Sequence, residues 1–366
     1  MDVTLVVDAL SPQLSGIGRY TWELCRRVPD QPAVGRVGFF YNGAFVEDPA
    51  SLLRNRSRRR RKRLPRWLRR RLVQRRLRSD LVHGPNYFLP AEAETGVITI
   101  HDLSVFRYPE THPPARVRAF ERQFESSVGR ATHIITDSET IRREIIADLG
   151  LRASTITAIG LGVGCEYRRR RFEEIEPALA PLGLKPGEYA LCVSTLEPRK
   201  KIAELLRAWR ELPQSLRNST PLVLAGAKGW LNDQLHDEIS KAASEGWLKH
   251  LGFVPEAQLL PLYGGARLFA YPSIYEGFGL PPIEAMASGV PVLVSDRSCL
   301  PEVCGDAAAY VNPDDQTAFT STIHQCLVDE QWRRETIVRG LDRAARFTWD
   351  RCVSETVAVY AQGSAQ

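Results

Sequence analysis

No run of about 18 apolar residues occurs in the 366-residue chain, so nothing in it reads as a helix able to span a bilayer. The seven cysteines, at 25, 165, 192, 299, 304, 326 and 352, form no Cys-x-x-Cys pair and do not sit with histidines at zinc spacing. Odd in number and widely scattered, they are expected to be reduced thiols in the core. The opening residues, MDVTLVVDAL, lack a basic leader and a small-residue cleavage site, which predicts a cytoplasmic protein. Acids are missing from one stretch: Arg54 to Arg78 holds fifteen Lys and Arg with no Asp or Glu, leaving 34 basic against 43 acidic residues in the rest. The overall charge of +6 therefore hides an acidic body carrying one concentrated positive segment.

What is present suffices for two domains, because the chain is longer than one core usually organises and 43% of it is apolar. Short β-branched runs alternate with amphipathic stretches: VTLVV (3–7) before a helical pattern from Ile17 to Val28, VITI (97–100), and HIIT (133–136) before Glu139 to Leu149. The rhythm restarts with ALCVS (190–194) and a helix near Ala203 to Trp209, then PLVLAG (221–226), LFAYP (268–272) and PVLVS (291–295). Such alternation predicts two α/β units with parallel sheets. Between them Glu166 to Glu188 is charged, holds Pro177, Pro181 and Pro186, and lacks a sustained period, as a linker would. Near the end, Trp349, Val353, Val357 and Tyr360 fall at helical spacing and predict a helix with an apolar stripe.

The most informative stretch is YPSIYEGFGLPPIEAMASGVPVL (271–293), a strand end, a glycine-rich loop and a helix opening at Pro281 and Pro282. Gly277 and Gly279 permit close backbone approach, and amides at a helix start favour a phosphate. Carboxylates beside a phosphate need other partners, and sugar hydroxyls are the natural ones. Glu284, placed in the first helical turn, can accept from a ribose diol, while Glu276 can hold hydroxyls of a transferred sugar. The plainer alternative is that both acids only complement the helix dipole.

STLEPRKK (194–201) follows the first strand of the second unit. It puts Arg199 and Lys200 at a carboxyl-end rim, where ligands of open α/β sheets bind and where cations can stabilise a departing diphosphate. Alternatively, Arg199 and Lys201 merely pair with Glu197 or Glu204. SGIGRY (15–20), read as lying directly after the first strand, brings Gly16, Gly18 and Arg19 to a possible phosphate turn, although such turns also serve tight packing alone. His101 and Asp102 follow VITI at the equivalent rim. A histidine there can bond a sugar or serve structure only, and Asp102 can cap the next turn.

Taken together these stretches resemble glycosyltransferase family 4 (GT4), a family of retaining enzymes, nearly end to end. The Glu-x7-Glu element Glu276 to Glu284 is similar to that family's donor loop, and LGFVPEAQLLPLYGGA (251–266), LPEVCGDAAAYVNPDD (300–315), THIITDSETIRREI (132–145) and FTWDRCVSETVAVY (347–360) resemble further family stretches. The resemblance implies the GT-B fold, with two Rossmann-like domains facing a central cleft. An acceptor-binding domain would span 1–167, a linker 168–187, and a nucleotide-sugar-binding domain 188–345, with a helix over 346–366 crossing back to the first domain. It further implies that Lys200 binds the diphosphate, that Gly16 lets the nucleotide sugar approach and that His101 meets the sugar. Phe253, Val254, Gly277, Phe278, Gly279 and Leu280 would line the donor. Many members carry an arginine where this chain has Ser194 and Thr195; the resemblance to the EPRK-containing branch implies that Arg199 would take that role here. Front-face attack is the implied mechanism, with no metal or other cofactor required, and the Asp314–Asp315 pair reads as a turn and helix cap. HDLSVFRYPETHPPARVRAFERQF (101–124) resembles the branch transferring mannose or 6-deoxyhexoses in O-antigen and capsule assembly, which implies a GDP-mannose or GDP-rhamnose donor and a lipid-linked (polyprenyl diphosphate) glycan acceptor. A UDP-sugar transferase, a phosphorylase and an epimerase stay open.

Within the basic segment, Trp67, Leu68 and Leu72 fall on one side of a helical wheel with Pro65 at its start. This predicts a basic amphipathic helix, peripheral at the inner face of the cytoplasmic membrane and attracted by anionic lipid. Solvated excursion and nucleic-acid binding are the alternatives; Trp67 alone is too little for base stacking.

Overall fold

A computed structural model describes residues 1–54, 66–230 and 233–363, and the chain divides into two compact units. The first comprises Met1–Leu103, Ala115–Gly162 and the chain from Trp349 onward; the second comprises Ser104–Pro114 and Val163–Thr348. Two differences from the expected boundaries stand out. Ser104–Pro114 belongs with the second unit, where the Trp230 indole donates to the Thr111 carbonyl and the Tyr108 and Tyr275 rings lie 5.1 Å apart. The stretch expected as a linker is also part of that unit: Phe172–Leu179 is a helix that packs on the helix Glu256–Gly264. Its buried residues Ile175 and Leu179 are an i, i+4 pair, a signal overshadowed by the prolines around it.

In the first unit the described strands are β1 (Val3–Val6), β2 (Val37–Tyr41), β3 (Ala44–Val46), β4 (Leu81–Gly84), β5 (Gly96–Ile100), β6 (Ala131–Thr136) and β7 (Ile156–Ala158). Their order is β3-β2-β1-β4-β5-β6-β7, and every pairing is parallel except the β2–β3 hairpin. That hairpin turns at Asn42 and Gly43, both with positive φ, as a two-residue turn between twisted strands requires. The helix Trp349–Gly363 packs on the helix Gly16–Arg27 and on β6, burying the predicted stripe Trp349, Val353, Val357 and Tyr360.

Beneath that helix lies a buried polar chain. His83 bonds Tyr360 Oη through Nδ1 (2.6 Å) and Thr99 Oγ1 through Nε2 (2.9 Å), and Tyr20 Oη lies 3.0 Å from the same Thr99 oxygen. Hydroxyls both donate and accept, so a neutral imidazole is satisfied on both sides.

Residues 55–65 of the basic segment lie outside the described residues, as do the side chains of Trp67 and Leu68. The helix Arg66–Ser79 does form, but Leu72 is 51% exposed while Val73 and Leu77 are buried. Of the expected stripe Leu72 is the member with a described side chain, and it stays exposed; Val73 and Leu77 form a separate i, i+4 pair facing the sheet, where the helix packs beside β4. Six cysteines are buried as expected, whereas Cys165 is exposed. Among the described residues no helix is long and apolar enough to cross a membrane.

The second unit holds β8 (Ala190–Val193), β9 (Leu222–Ala225), β10 (Leu248–His250), β11 (Leu268–Tyr271), β12 (Val292–Ser295) and β13 (Ala308–Val311), in the order β10-β9-β8-β11-β12-β13, all parallel. β8, β9, β11 and β12 are almost wholly buried, which explains their unbroken apolar runs. Strand order reverses between β8 and β11. Segments leaving those two strands diverge to opposite faces, opening a crevice at their carboxyl ends.

Candidate active site

The crevice of the second unit receives charged side chains from both flanking strands. After β8 the chain passes through Ser194–Glu197 into a short 3-10 turn, Pro198–Lys200, and Lys201 then adopts a left-handed conformation (φ 53°) before the helix Ile202–Arg210. This loop is packed from beneath: a Cβ on Gly226, just past β9, would lie 1.8 Å from the Ser194 carbonyl oxygen, so only glycine fits. After β11 the loop runs to Glu276, and Gly279 (φ 92°) starts the helix Leu280–Ala287 with prolines at its first positions.

Lys200 is buried, and its ammonium donates to Glu276 Oε1 and to Tyr271 Oη (3.0 Å). Tyr271 in turn donates to the same Glu276 oxygen (2.9 Å). Arg199 Nη1 lies 3.4 Å from Glu276 Oε2 and donates to the Tyr275 carbonyl (2.7 Å), while its Nε bonds Glu197 Oε2 (3.1 Å). Burial alone would raise the Glu276 carboxyl, but the charges of Lys200 and Arg199 outweigh it and hold the group at about 2. Burial and the neighbouring Arg199 push the Lys200 ammonium below the ordinary lysine range. The Glu276 peptide is held as well: Ser298 Oγ accepts from its N–H (3.2 Å) and donates to its carbonyl (2.8 Å).

The pairings weighed as a bland alternative for the cations are therefore present, since Arg199 meets Glu197 and Lys201 meets Glu204 (3.3 Å). Yet Arg199 also faces Glu276, and Lys200 is committed to it, so the cations converge rather than point into solvent. Glu284 is buried in the second turn of its helix, not the first, and accepts from Tyr263 Oη (2.8 Å). Gly277 and Leu280 are buried; so is Phe278, whose ring packs edge-on against Phe347 at 5.3 Å, which makes its side chain a core contact. Phe253 is 44% exposed beyond β10, and Val254 beside it is half-buried. The aspartate pair splits: Asp315 caps the helix Gln316–Val328, whereas Asp314 pairs with Lys201 (2.8 Å) and Arg297 (2.7 Å).

In the first unit, Gly16, Gly18 and Arg19 form the opening turn of the helix Gly16–Arg27, capped by Ser15. They do not follow β1 directly, because residues 7–15 intervene. His101 stands just past β5 as expected, but it is buried with Nδ1 2.7 Å from Asp137 Oδ2 and Nε2 2.8 Å from the Pro85 carbonyl. Burial opposes its protonation, yet the Asp137 charge and the two hydrogen bonds prevail and raise it above the usual histidine value. Meeting a sugar would require Nε2 to exchange the Pro85 carbonyl for a hydroxyl. The Asp102 amide donates to Tyr87 Oη (3.1 Å).

Residues 179–342 match the model for glycosyl transferases group 1, and residues 14–167 match that for glycosyltransferase family 4. The O-antigen chain mannosyltransferase B of Escherichia coli is 37% identical, with 98% of this chain and 99% of that protein covered. The chain belongs to the family 4 glycosyltransferases. A serotype-specific mannosyltransferase of E. coli, WbdA, is 33% identical over 73% of the chain, which spans 34% of that larger protein. Among solved structures, Anabaena HepE in complex with UDP and glucose superposes with a TM-score of 0.74 at 18% identity, covering 99% of this chain and 100% of that one, and shows the GT-B fold in common.

For this family 4 glycosyltransferase, a nucleotide-sugar donor and a glycan acceptor follow from the family. Sequence reading missed Tyr271, Tyr263 and Ser298. Tyr271 closes the strand LFAY at a carboxyl end, a position that could have drawn attention to it. Tyr263 and Ser298 lie 21 and 22 residues from the acids they hold and carry no local signal.

Proposed function

We propose that the enzyme transfers mannose, or a related hexose such as D-rhamnose, from a GDP-linked donor to a lipid-linked glycan in the assembly of O-antigen or another cell-surface polysaccharide. The observation carrying this reading is the Arg199–Lys200–Glu276 cluster at the reversal of strand order, in a chain so similar to an O-antigen chain mannosyltransferase. The donor diphosphate would lie against the two cations and the amides that open the helix Leu280–Ala287. Glu284 would accept from the ribose and Glu276 from the sugar. The acceptor hydroxyl attacks the anomeric carbon on the face the diphosphate leaves. As the new C–O bond forms, the bond to phosphate oxygen breaks and that oxygen takes the proton, so configuration is retained. Arg199 and Lys200 stabilise the leaving charge as a divalent metal does in other enzymes, so the reaction proceeds without one.

The test is a calorimetric screen against GDP, UDP and their sugars, followed by transfer to a polyprenyl-diphosphate-linked glycan with the anomer assigned by NMR. Binding and transfer are expected with GDP-mannose or GDP-rhamnose. Response to UDP-sugars alone would overturn the guanine assignment, and an inverted product the front-face route. Glu284→Gln should raise the donor KM about tenfold, the order expected for a charge-assisted hydrogen bond, and an unchanged KM would remove Glu284 from the ribose.

The basic segment, with Arg70, Arg71 and Arg75 exposed beside Leu72, suits an anionic membrane surface, where each cation contributes about 1 kcal/mol. Replacing the basic residues 58 to 63 with serine should release the protein from phosphatidylglycerol vesicles while sparing transfer to a soluble acceptor. Vesicle binding that survives the replacement would refute this placement.

A further inference from the structure

The cation assigned to the diphosphate is already neutralised from within. Lys200 and Glu276 are both buried, joined directly and bridged by Tyr271 Oη, with Arg199 on the second carboxylate oxygen. An anion that draws Lys200 to itself leaves a buried carboxylate short of its main partner, and an uncompensated buried charge is strongly unfavourable. A ligand that also brings hydroxyl donors to Glu276 replaces what it takes away.

Resting on the donor-site reading above, we infer that the Lys200–Glu276 pair is a specificity device: it admits a diphosphate joined to a sugar and disfavours the same diphosphate alone. Glu276 acts as an internal anion that competes with phosphate for Lys200. Only the nucleotide sugar exchanges both halves of the pair at once, its phosphate for the carboxylate and its hydroxyls for the ammonium. After transfer the sugar has left, Glu276 reclaims Lys200, and the nucleoside diphosphate is expelled. Affinity therefore runs against simple Coulomb attraction, because the free nucleotide carries more negative charge than the nucleotide sugar yet binds less tightly.

Removing the internal competitor tests this. Inorganic pyrophosphate and GDP are titrated by calorimetry into the wild type, Glu276→Gln and the double variant Lys200→Met/Glu276→Gln. Glu276→Gln is expected to bind both probes about tenfold more tightly while losing transfer, and the double variant, which carries no buried charge at either position, is expected to lose that gain. Equal or weaker binding by Glu276→Gln would overturn the inference and leave the donor site standing. Binding of neither probe to any of the three proteins would overturn the donor-site reading itself. Should Glu276→Gln fail to fold, the wild type decides alone: GDP-mannose binding more tightly than GDP supports the device, and the reverse order refutes it.

Discussion

Lys200→Ala is expected to lower turnover by about 10²–10³-fold, the loss seen when one preorganised contact to developing charge is removed. Binding of the free nucleoside should fall far less, because a nucleoside carries no diphosphate for Lys200 to hold; equal losses would contradict a role in stabilising the leaving group. The substitution also strands Glu276, which keeps the Tyr271 hydroxyl but loses its closest cation and is left with Arg199 at 3.4 Å, and breaking a buried pair destabilises by about 3–5 kcal/mol. Thermal melts must accompany the kinetics. In Lys200→Met/Glu276→Gln the stranded charge is gone, so stability should recover while turnover does not, which separates the loss of chemistry from the loss of fold.

The second large effect is in acid. His83 is wholly buried between Tyr360 and Thr99, and burial, helped by the nearby His101, lowers its folded value from 6.5 to about 3. A group depressed on folding binds more protons in the unfolded chain, so its contribution is complete above pH 6.5 and is lost as pH falls toward 3. Across that window the imbalance of one proton costs about 1.4 kcal/mol for every pH unit, so the first domain should lose several kcal/mol. Glu276 adds a term of the same sign in the second unit, present above 4.5 and lost toward 2. Urea melts between pH 6.5 and 4.5 compare the two proteins: the wild type should weaken more steeply than His83→Gln, which keeps hydrogen-bonding groups without titrating and whose remaining slope comes from His133 and His250, both lowered by burial. Parallel slopes in the two proteins would show that His83 is not the group titrating.

The strands and their polarity were legible because a strand buried on both faces needs an unbroken apolar run, as in LVLA and VLVS. The terminal helix was legible from Trp349, Val353, Val357 and Tyr360, whose spacing is a property of the helix itself. The helix Phe172–Leu179 was not, because its two buried residues, Ile175 and Leu179, make too short a pattern among the acids and Pro177. For the site, the glycine loop and the proline-started helix pointed to Glu276 and Glu284, and the separate loop STLEPRKK pointed to Arg199 and Lys200. Their mutual arrangement was not readable: Lys200 and Glu276 are 76 residues apart, and nothing local says that the ammonium is held by this carboxylate. His101 was placed correctly at its rim, yet its two hydrogen bonds come from Pro85 and Asp137, on separate segments.

By itself, then, the sequence determined the α/β alternation, the two-unit plan, the strand ends where charged loops emerge and the family to which those loops belong, all of which are written in short-range periodicity and contiguous motifs. Tertiary structure alone decided which charges neutralise one another, because the order β10-β9-β8-β11 sets the exit of β8 beside the exit of β11. That adjacency buries Lys200 against Glu276. The proposed selectivity rests on that burial, because a buried charge cannot give up its partner without a replacement.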